Sequence, residues 1–187
     1  METLFGIDLY LFKLFNQAFV NPIFDAIMPI ITKEKNLLPV YAIALFILIW
    51  KGGRRGQIVA LLLIITVVIS DQLSSTVIKN FVGRLRPCHE LIDVRLLVNC
   101  GSGKSFPSSH AVNNFAAAIL LSGFFRRYWY IFISIAIIIA YTRVYCGVHY
   151  PSDVIAGAII GSVIGSVIGY LCYRLFLVIK NKYNIVF

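Results

Sequence analysis

Long apolar runs separated by short polar connections organise this chain. The clearest runs approach or exceed the length needed to cross ~30 Å of hydrocarbon, and they are Leu37–Trp50, Ile58–Ser70, Ala111–Phe125, Tyr128–Ala140 and Val154–Ile179. This pattern predicts an all-α fold, a polytopic transmembrane helical bundle. The five expected spans are approximately Leu37–Trp50, Gln57–Phe81, Ser108–Phe125, Tyr128–Val148 and Pro151–Lys180. We expect one membrane-embedded domain over residues 1–187.

The first thirty residues are less apolar. Bulky side chains recur at helical spacing through Leu4–Val20 with polar residues between them, which predicts an amphipathic helix lying in the membrane interface. Asn21-Pro22 should end it, and Ile23–Thr32 predicts a second short helix. The alternative is that both pieces form one weakly apolar span, which would make six spans.

Glycines recur at every fourth position of the last predicted span, with Gly157, Gly161, Gly165 and Gly169 on one helical face. Small residues at this spacing let two helix backbones approach closely. We therefore expect this face to pack against another helix.

Composition supports the membrane assignment. Hydrophobic residues make up 59% of the chain, charged residues make up only 13%, and the mean hydropathy is +0.85; soluble domains carry about 25% charged residues. The net charge of +9 comes from Lys and Arg in the connections between apolar runs, where membrane proteins place them. We therefore expect no nucleic-acid partner.

Three polar clusters fall on the same side of the membrane if successive helices alternate in direction. They are Lys79–Pro87 at the end of the second span, Pro107–His110 at the start of the third, and Thr142–Asp153 between the last two. Charged groups are costly at membrane depth and usually mark function. Three cations, two histidines and a carboxylate predict an anionic ligand, for which phosphate is the natural candidate.

Each cation and helix start offers a specific phosphate contact. Lys79 supplies a point charge, whereas Arg86 and Arg143 present planar guanidinium groups that match phosphate oxygens. Ser108 and Ser109 open a helix, where unpaired N–H groups and the helix dipole favour an anion.

The histidines supply the reactive groups. If Pro151 begins a helix, Asp153 can turn back to the imidazole of His149, fix its tautomer and make it a nucleophile. His110 could protonate the departing oxygen as a general acid. Taken singly, a histidine near a helix end is more often bonded to a carbonyl, and a terminal Arg or Lys more often snorkels to the interface.

A metal site is the alternative reading of the same histidines and carboxylate, because two His and one Asp can bind zinc or iron. The three neighbouring cations would repel a divalent ion and could themselves neutralise phosphate charge. We therefore expect neither a metal nor a cofactor.

These residues resemble the three-part signature of the type 2 phosphatidic acid phosphatase family. The first part, Lys, six residues, Arg-Pro, is complete. The second has Ser109 where the family has Gly, and the third has Thr142 where the family has Ser. The matching positions are Lys79, Arg86, Pro87, Pro107, Ser108, His110, Arg143, His149 and Asp153.

The resemblance implies a two-step hydrolysis without a metal. His149 would form a phosphohistidine, Asp153 would hold its imidazole, and His110 would protonate the leaving group. The three cations, Ser108 and the Ser109 amide would bind the phosphoryl oxygens.

Other polar residues near the motifs have weaker signals. Asp71 shares a helical face with Ser75 and Lys79, and pairing within the bundle is a better explanation than a role in proton movement. Three further cations could read a headgroup, but we expect them to be solvated loop charges; they are Arg84, Arg95 and Lys104.

Charge placement and cysteines indicate orientation. Basic residues cluster on the face opposite the site, which the positive-inside rule assigns to the cytoplasm; they are Lys51, Arg54, Arg55, Arg126, Arg127, Arg174, Lys180 and Lys182. A disulfide between Cys88 and Cys100 would fit an oxidising compartment. We expect a bacterial inner-membrane protein whose site faces the periplasm.

The short single domain resembles bacterial envelope phosphatases that act on phosphorylated membrane lipids. Undecaprenyl pyrophosphate and lipid A 1-phosphate are the favoured substrates, ahead of phosphatidylglycerol phosphate and phosphatidic acid. Two alternatives stay open: a phosphotransferase on the same scaffold, and a lipid or anion transporter without enzymatic activity. Oligomeric state is not predicted.

Overall fold

A computed structural model describes residues 2–101 and 103–183, with side chains at 5–33, 35–101, 103–175, 177 and 178. All regular secondary structure in the described residues is helical, with no strand, which confirms the all-α prediction. The α-helices are α1 Glu2–Lys13, α2 Pro22–Thr32, α3 Glu34–Lys51, α4 Gly53–Gln72, α5 Lys79–Val82, α6 Pro87–Glu90, α7 Ser109–Phe124, α8 Trp129–Tyr145 and α9 Pro151–Tyr183. π-helical turns at Leu14–Ala18 and Leu73–Ile78 continue α1 and α4.

Three helical segments are long and apolar enough to cross a membrane: Gly53–Glu90, Arg126–Tyr145 and Pro151–Leu175. The pair Phe5–Ala18 and Pro22–Thr32, bent by 114°, adds a fourth if it is one broken span. The remaining two expected spans are helices of 18 residues (α3) and 16 residues (α7). The chain is therefore an integral membrane protein, and a count of five or six spans stays a prediction.

The glycine face of α9 packs directly on α7, as its spacing predicts. A Cβ added at Gly161 would lie 2.2 Å from the carbonyl oxygen of Val112, and one at Gly165 would lie 2.4 Å from that of Ala116. This close approach also joins the beginnings of the two helices, since the Ser108 N–H donates to the carbonyl of Asp153 at 3.1 Å. Two of the polar clusters are thereby brought together.

The N-terminal helices fold against the site end of the bundle. Asn21 caps α2, because its side-chain oxygen accepts from the N–H of Ile23 at 2.8 Å, and the chain turns there as expected. Asp8, Phe12 and Asn16 form the buried face of the first helix, with at most 8% exposure. The polar residues of this helix are therefore not all directed towards solvent or headgroups. Its placement in the membrane interface stays a prediction.

Candidate active site

The three polar clusters meet around one cavity of about 420 Å³. Six of the residues singled out from the sequence line it: Lys79, Arg86, Ser109, His110, Arg143 and His149. Asp71, Ser75, Asn99, Cys100 and Gly101 complete its wall. The predicted convergence of clusters separated by up to seventy residues is therefore present in the fold.

A tight turn between α8 and α9 places His149. The N–H groups of Val148 and His149 both donate to the carbonyl of Arg143, at 3.1 and 3.3 Å. Gly147 adopts φ +82°, and a Cβ there would lie 2.8 Å from the carbonyl oxygen of Arg95. Glycine is therefore required at this position for two reasons, namely the positive φ of its backbone and the close approach of the neighbouring loop.

Asp153 and Ser105 hold one nitrogen of the His149 imidazole. Asp153 lies in the first turn of α9, and its Oδ2 is 3.5 Å from His149 Nδ1. The Ser105 hydroxyl lies 3.4 Å from the same nitrogen and donates to Asp153 Oδ2. The backbone N–H of Tyr150 donates to that carboxylate oxygen as well, at 2.9 Å. Because Nδ1 is engaged, Nε2 is the nitrogen that can react.

His149 is only 1% exposed. Burial lowers the pKa of His149 to about 3, against the opposing effect of its hydrogen bond to Asp153. The imidazole is therefore neutral at pH 7, which is the protonation state that a nucleophile requires.

Backbone carbonyls and a threonine fix the guanidinium groups that line the cavity. Arg143 is 8% exposed, and its Nη1 donates to the hydroxyl of Thr32 at 2.6 Å. Arg86 donates from Nε to the carbonyl of Gly103 at 2.9 Å. Lys79 begins α5 at the same end of the bundle. These cations form a positively charged surface suited to a phosphoryl group.

The start of α7 is only partly available to an anion. The Ser108 N–H is used by the carbonyl of Asp153, so the expectation that this amide is unpaired was wrong; helix packing consumes it. The Ser108 hydroxyl is buried and has no hydrogen-bond partner among the described residues. Ser109 lines the cavity, with its hydroxyl 3.2 Å from that of Ser75.

Arg84 was not recognised from the sequence as a site residue. It pairs through Nη1 with Asp153 Oδ1 at 2.8 Å and through Nη2 with Asp8 Oδ2 at 2.7 Å. Asp8 also accepts from the backbone N–H of Ser152 at 2.9 Å. The N-terminal helix is thereby tied to the carboxylate beside His149. Two features of the sequence could have indicated this role of Arg84: the carboxylate of Asp8 within an apolar helix, and the position of Arg84 two residues before Arg86.

The expectation that the flanking cations are solvated was wrong for two of them. Arg84 forms the two ion pairs above. Arg95 pairs with Asp25 at 2.6 Å and donates to the carbonyl of Asn16 at 2.9 Å, because the N-terminal segment folds over its loop. Lys104 lies 3.5 Å from the carbonyl of Asn80.

Asp71 pairs within the bundle as expected. Its Oδ1 accepts from Asn113 Nδ2 of α7 at 3.0 Å and from the Ser75 hydroxyl at 3.3 Å. It also lines the cavity, a position that the sequence did not predict.

Cys88 and Cys100 form a disulfide, which the sequence suggested without deciding, and Cys100 belongs to the cavity wall. Among the described residues, one group of three potential metal ligands comes together, namely Cys88, His89 and Cys100 within 4.8 Å. The disulfide occupies both of its sulfurs. A neutral, carboxylate-oriented imidazole beside three cations is instead suited to nucleophilic attack on phosphorus.

Comparison with known proteins finds phosphatases among the relatives of this chain. The sequence matches the PAP2 superfamily over residues 58–182. A lipid A 4'-phosphatase of Bacteroides thetaiotaomicron is 37% identical over 172 residues, which cover 84% of this chain and 73% of that protein. An undecaprenyl-diphosphatase of Sulfolobus acidocaldarius is 34% identical over 161 residues, covering 83% of this chain and 74% of that protein.

The fold has a solved counterpart as well. The crystal structure of LpxE from Aquifex aeolicus aligns with a TM-score of 0.72 at 30% sequence identity, over 87% of this chain and 94% of that one.

Proposed function

The chain belongs to the PAP2 superfamily and is a membrane-embedded phosphatase, and we propose that it hydrolyses a phosphate or pyrophosphate ester of a membrane lipid through a phosphohistidine. The observation that carries this proposal is the placement of His149. Its Nδ1 is held by Asp153, and it shares a cavity with Lys79, Arg86 and Arg143.

The reaction proceeds in two steps. Nε2 of His149 attacks phosphorus, the bond from phosphorus to the leaving oxygen breaks, and His110 gives that oxygen a proton. Water then attacks the phosphorus of the phosphohistidine while His110 accepts a proton from the water. The bond from phosphorus to Nε2 of His149 breaks, and inorganic phosphate leaves. Lys79, Arg86 and Arg143 neutralise the charge of the transferring group, so the proposal needs no metal.

Asp153 supports both steps without touching phosphorus. Its carboxylate keeps Nδ1 protonated and stabilises the positive charge that develops on the ring during attack. The Ser109 amide and the buried Ser108 hydroxyl add phosphate contacts. Ser105 donates to Oδ2, the same carboxylate oxygen that faces His149, and acts as a positioning residue.

Lipid A phosphates and undecaprenyl pyrophosphate are the favoured substrates, because relatives covering most of this chain are named for them. Phosphatidylglycerol phosphate and phosphatidic acid share the same ester chemistry. The basic face opposite the cavity and the Cys88–Cys100 disulfide support a site on the periplasmic face of a bacterial inner membrane. The five- or six-span topology belongs to this proposal.

The test is phosphate release from these four lipids by purified protein in detergent with EDTA, for the wild type beside His149→Ala. The wild type should release phosphate and the variant should not. In a second assay, the wild type reacts with labelled substrate and the reaction is then quenched. A phosphohistidine would appear as label on the protein that is lost in acid and retained in alkali. Full activity of the variant would exclude His149 as the nucleophile.

Adding an acceptor alcohol separates hydrolysis from phosphotransfer. Phosphate passed to the alcohol in preference to water would favour the transferase alternative, and binding without release would favour transport.

A further inference from the structure

The cavity contains hydrogen-bonding groups that the phosphoryl-transfer steps do not use. Asp71, Ser75 and Asn99 line it together with the cations and histidines. Ser75 is connected to the phosphate end of the cavity, because its hydroxyl is 3.2 Å from that of Ser109. The wall therefore continues from cationic groups into an acidic and hydroxyl-bearing region.

Asp71 is an unusual residue for a site that receives phosphate. Both of its hydrogen bonds are accepted by Oδ1, from Asn113 and Ser75. In the part of the chain that the structure describes, Oδ2 has no hydrogen-bond partner and no cation lies within 4.0 Å of the carboxylate. Lys79 interacts favourably with this carboxylate at longer range, but a carboxylate oxygen without a donor is costly inside a membrane protein, so a donor from the ligand would compensate Oδ2.

The helix geometry places Asp71 beside the reacting group without contact to it. Lys79 follows Asp71 by eight residues, which is about 12 Å along an α-helix. The π-helical turn Leu73–Ile78 lies between them, and such turns frequently occur at functional sites. This separation suits a headgroup ring attached to the phosphate that Lys79 binds.

The carboxylate restricts what that headgroup can be. A second phosphate near Asp71 would bring like charges together, whereas hydroxyl and amide N–H groups would donate to it. We propose that Asp71, Ser75 and Asn99 form a headgroup subsite for the hydroxyl and amide groups of a phosphorylated sugar. The physiological substrate is then a phosphorylated glycolipid and not a polyprenyl diphosphate. This inference rests on the proposed phosphatase function.

Asp71→Asn is the discriminating variant. Asparagine keeps Oδ1 as the acceptor for Ser75 and Asn113, so the link between α4 and α7 is preserved, while the charge and the second acceptor are lost. Asn113→Ala is the matched control, since Asn113 bonds Asp71 but does not line the cavity. It breaks the inter-helix link and leaves the cavity carboxylate in place.

The assay compares kcat/KM for lipid A, undecaprenyl pyrophosphate and phosphatidic acid. The wild type should prefer lipid A. Asp71→Asn should lower kcat/KM for lipid A by about 10- to 100-fold, the usual effect of losing hydrogen bonds to a charged group. The same variant should leave kcat/KM for undecaprenyl pyrophosphate unchanged or raise it. Asn113→Ala should lower the melting temperature while leaving the lipid A to pyrophosphate ratio within about threefold of wild type.

The outcomes separate this inference from the proposed function. Equal losses on all three lipids in Asp71→Asn, or a wild-type preference for undecaprenyl pyrophosphate, would overturn the headgroup subsite and leave the phosphatase intact. If the wild type released phosphate from none of the lipids, the proposed function would fail and the subsite with it.

Discussion

Replacing Arg84 with alanine removes the guanidinium that pairs with both Asp8 and Asp153, at 2.7 and 2.8 Å. At these distances and an effective dielectric constant of ~20, the Coulomb attraction of each pair is about 6 kcal/mol. Removing one partner of a buried pair typically costs 3–5 kcal/mol, since the remaining charge stays buried. The Asp153 side chain is fully buried and that of Arg84 is 21% exposed. Water can replace part of the lost interaction, so we expect a stability loss of about 3 kcal/mol.

The catalytic effect should appear in turnover. Without Arg84, Asp153 Oδ1 loses its cation while Ser105 and the Tyr150 N–H still hold Oδ2. The carboxylate stays near His149 with a less fixed orientation, and such misplacement costs up to ~100-fold in rate. We expect kcat to fall about 10- to 100-fold. KM should change less than threefold, because Arg84 does not line the cavity.

The measurements are unfolding in mixed SDS micelles and steady-state kinetics on the preferred lipid. Asp8→Asn is the matched control, since it weakens one ion pair and keeps Arg84 on Asp153. It should cost about 1 kcal/mol and less than fivefold in kcat. A raised KM with unchanged kcat in Arg84→Ala would mean that Arg84 binds substrate. Unchanged kcat and KM would show that Asp153 needs no support from it.

Three further predictions concern helix packing, pH and the disulfide. Gly161→Ala should lower stability by about 1–3 kcal/mol, because its Cβ would meet the Val112 carbonyl oxygen at 2.2 Å. Gly123→Ala is the control and should not lower stability, since nothing lies within 4 Å of its added Cβ. Equal SDS unfolding midpoints for the two variants would refute the packing argument. Burial lowers the pKa of His149 from 6.5 to about 3, so between these values the unfolded chain binds a proton that the folded chain does not. The unfolding free energy should therefore decrease as pH falls below 6.5, by of the order of 1–2 kcal/mol by pH 5; a decline that persists unchanged in His149→Gln would contradict this. Denatured, unreduced protein should show two reactive thiols, Cys146 and Cys172, and Cys100→Ser should cost about 3 kcal/mol; four thiols without reductant would exclude the disulfide.

The sequence by itself determined the helical membrane fold, the phosphatase family and the residue types of the candidate site. Apolar run length and residue type are local properties, so they can be read without knowing which helices touch. The glycine period of α9 predicted its close packing, and alternating helix direction predicted that Lys79, His110 and His149 would meet. The motif spacing was enough to predict that Asp153 reaches the imidazole of His149, since the two residues are four positions apart.

Only the tertiary structure decided which polar residues support that site. Arg84 is 76 residues from Asp8 and 69 from Asp153, and Ser105 is 48 from Asp153. The local sequence around a loop arginine does not distinguish a solvated side chain from one in an ion pair, because the difference depends on which other segment packs against the loop. The N-terminal helix supplies that cover for Arg84. Helix packing pairs the Ser108 N–H with the Asp153 carbonyl, so this amide does not face the candidate site. Burial and partner choice depend on the whole fold, and no local pattern contains them.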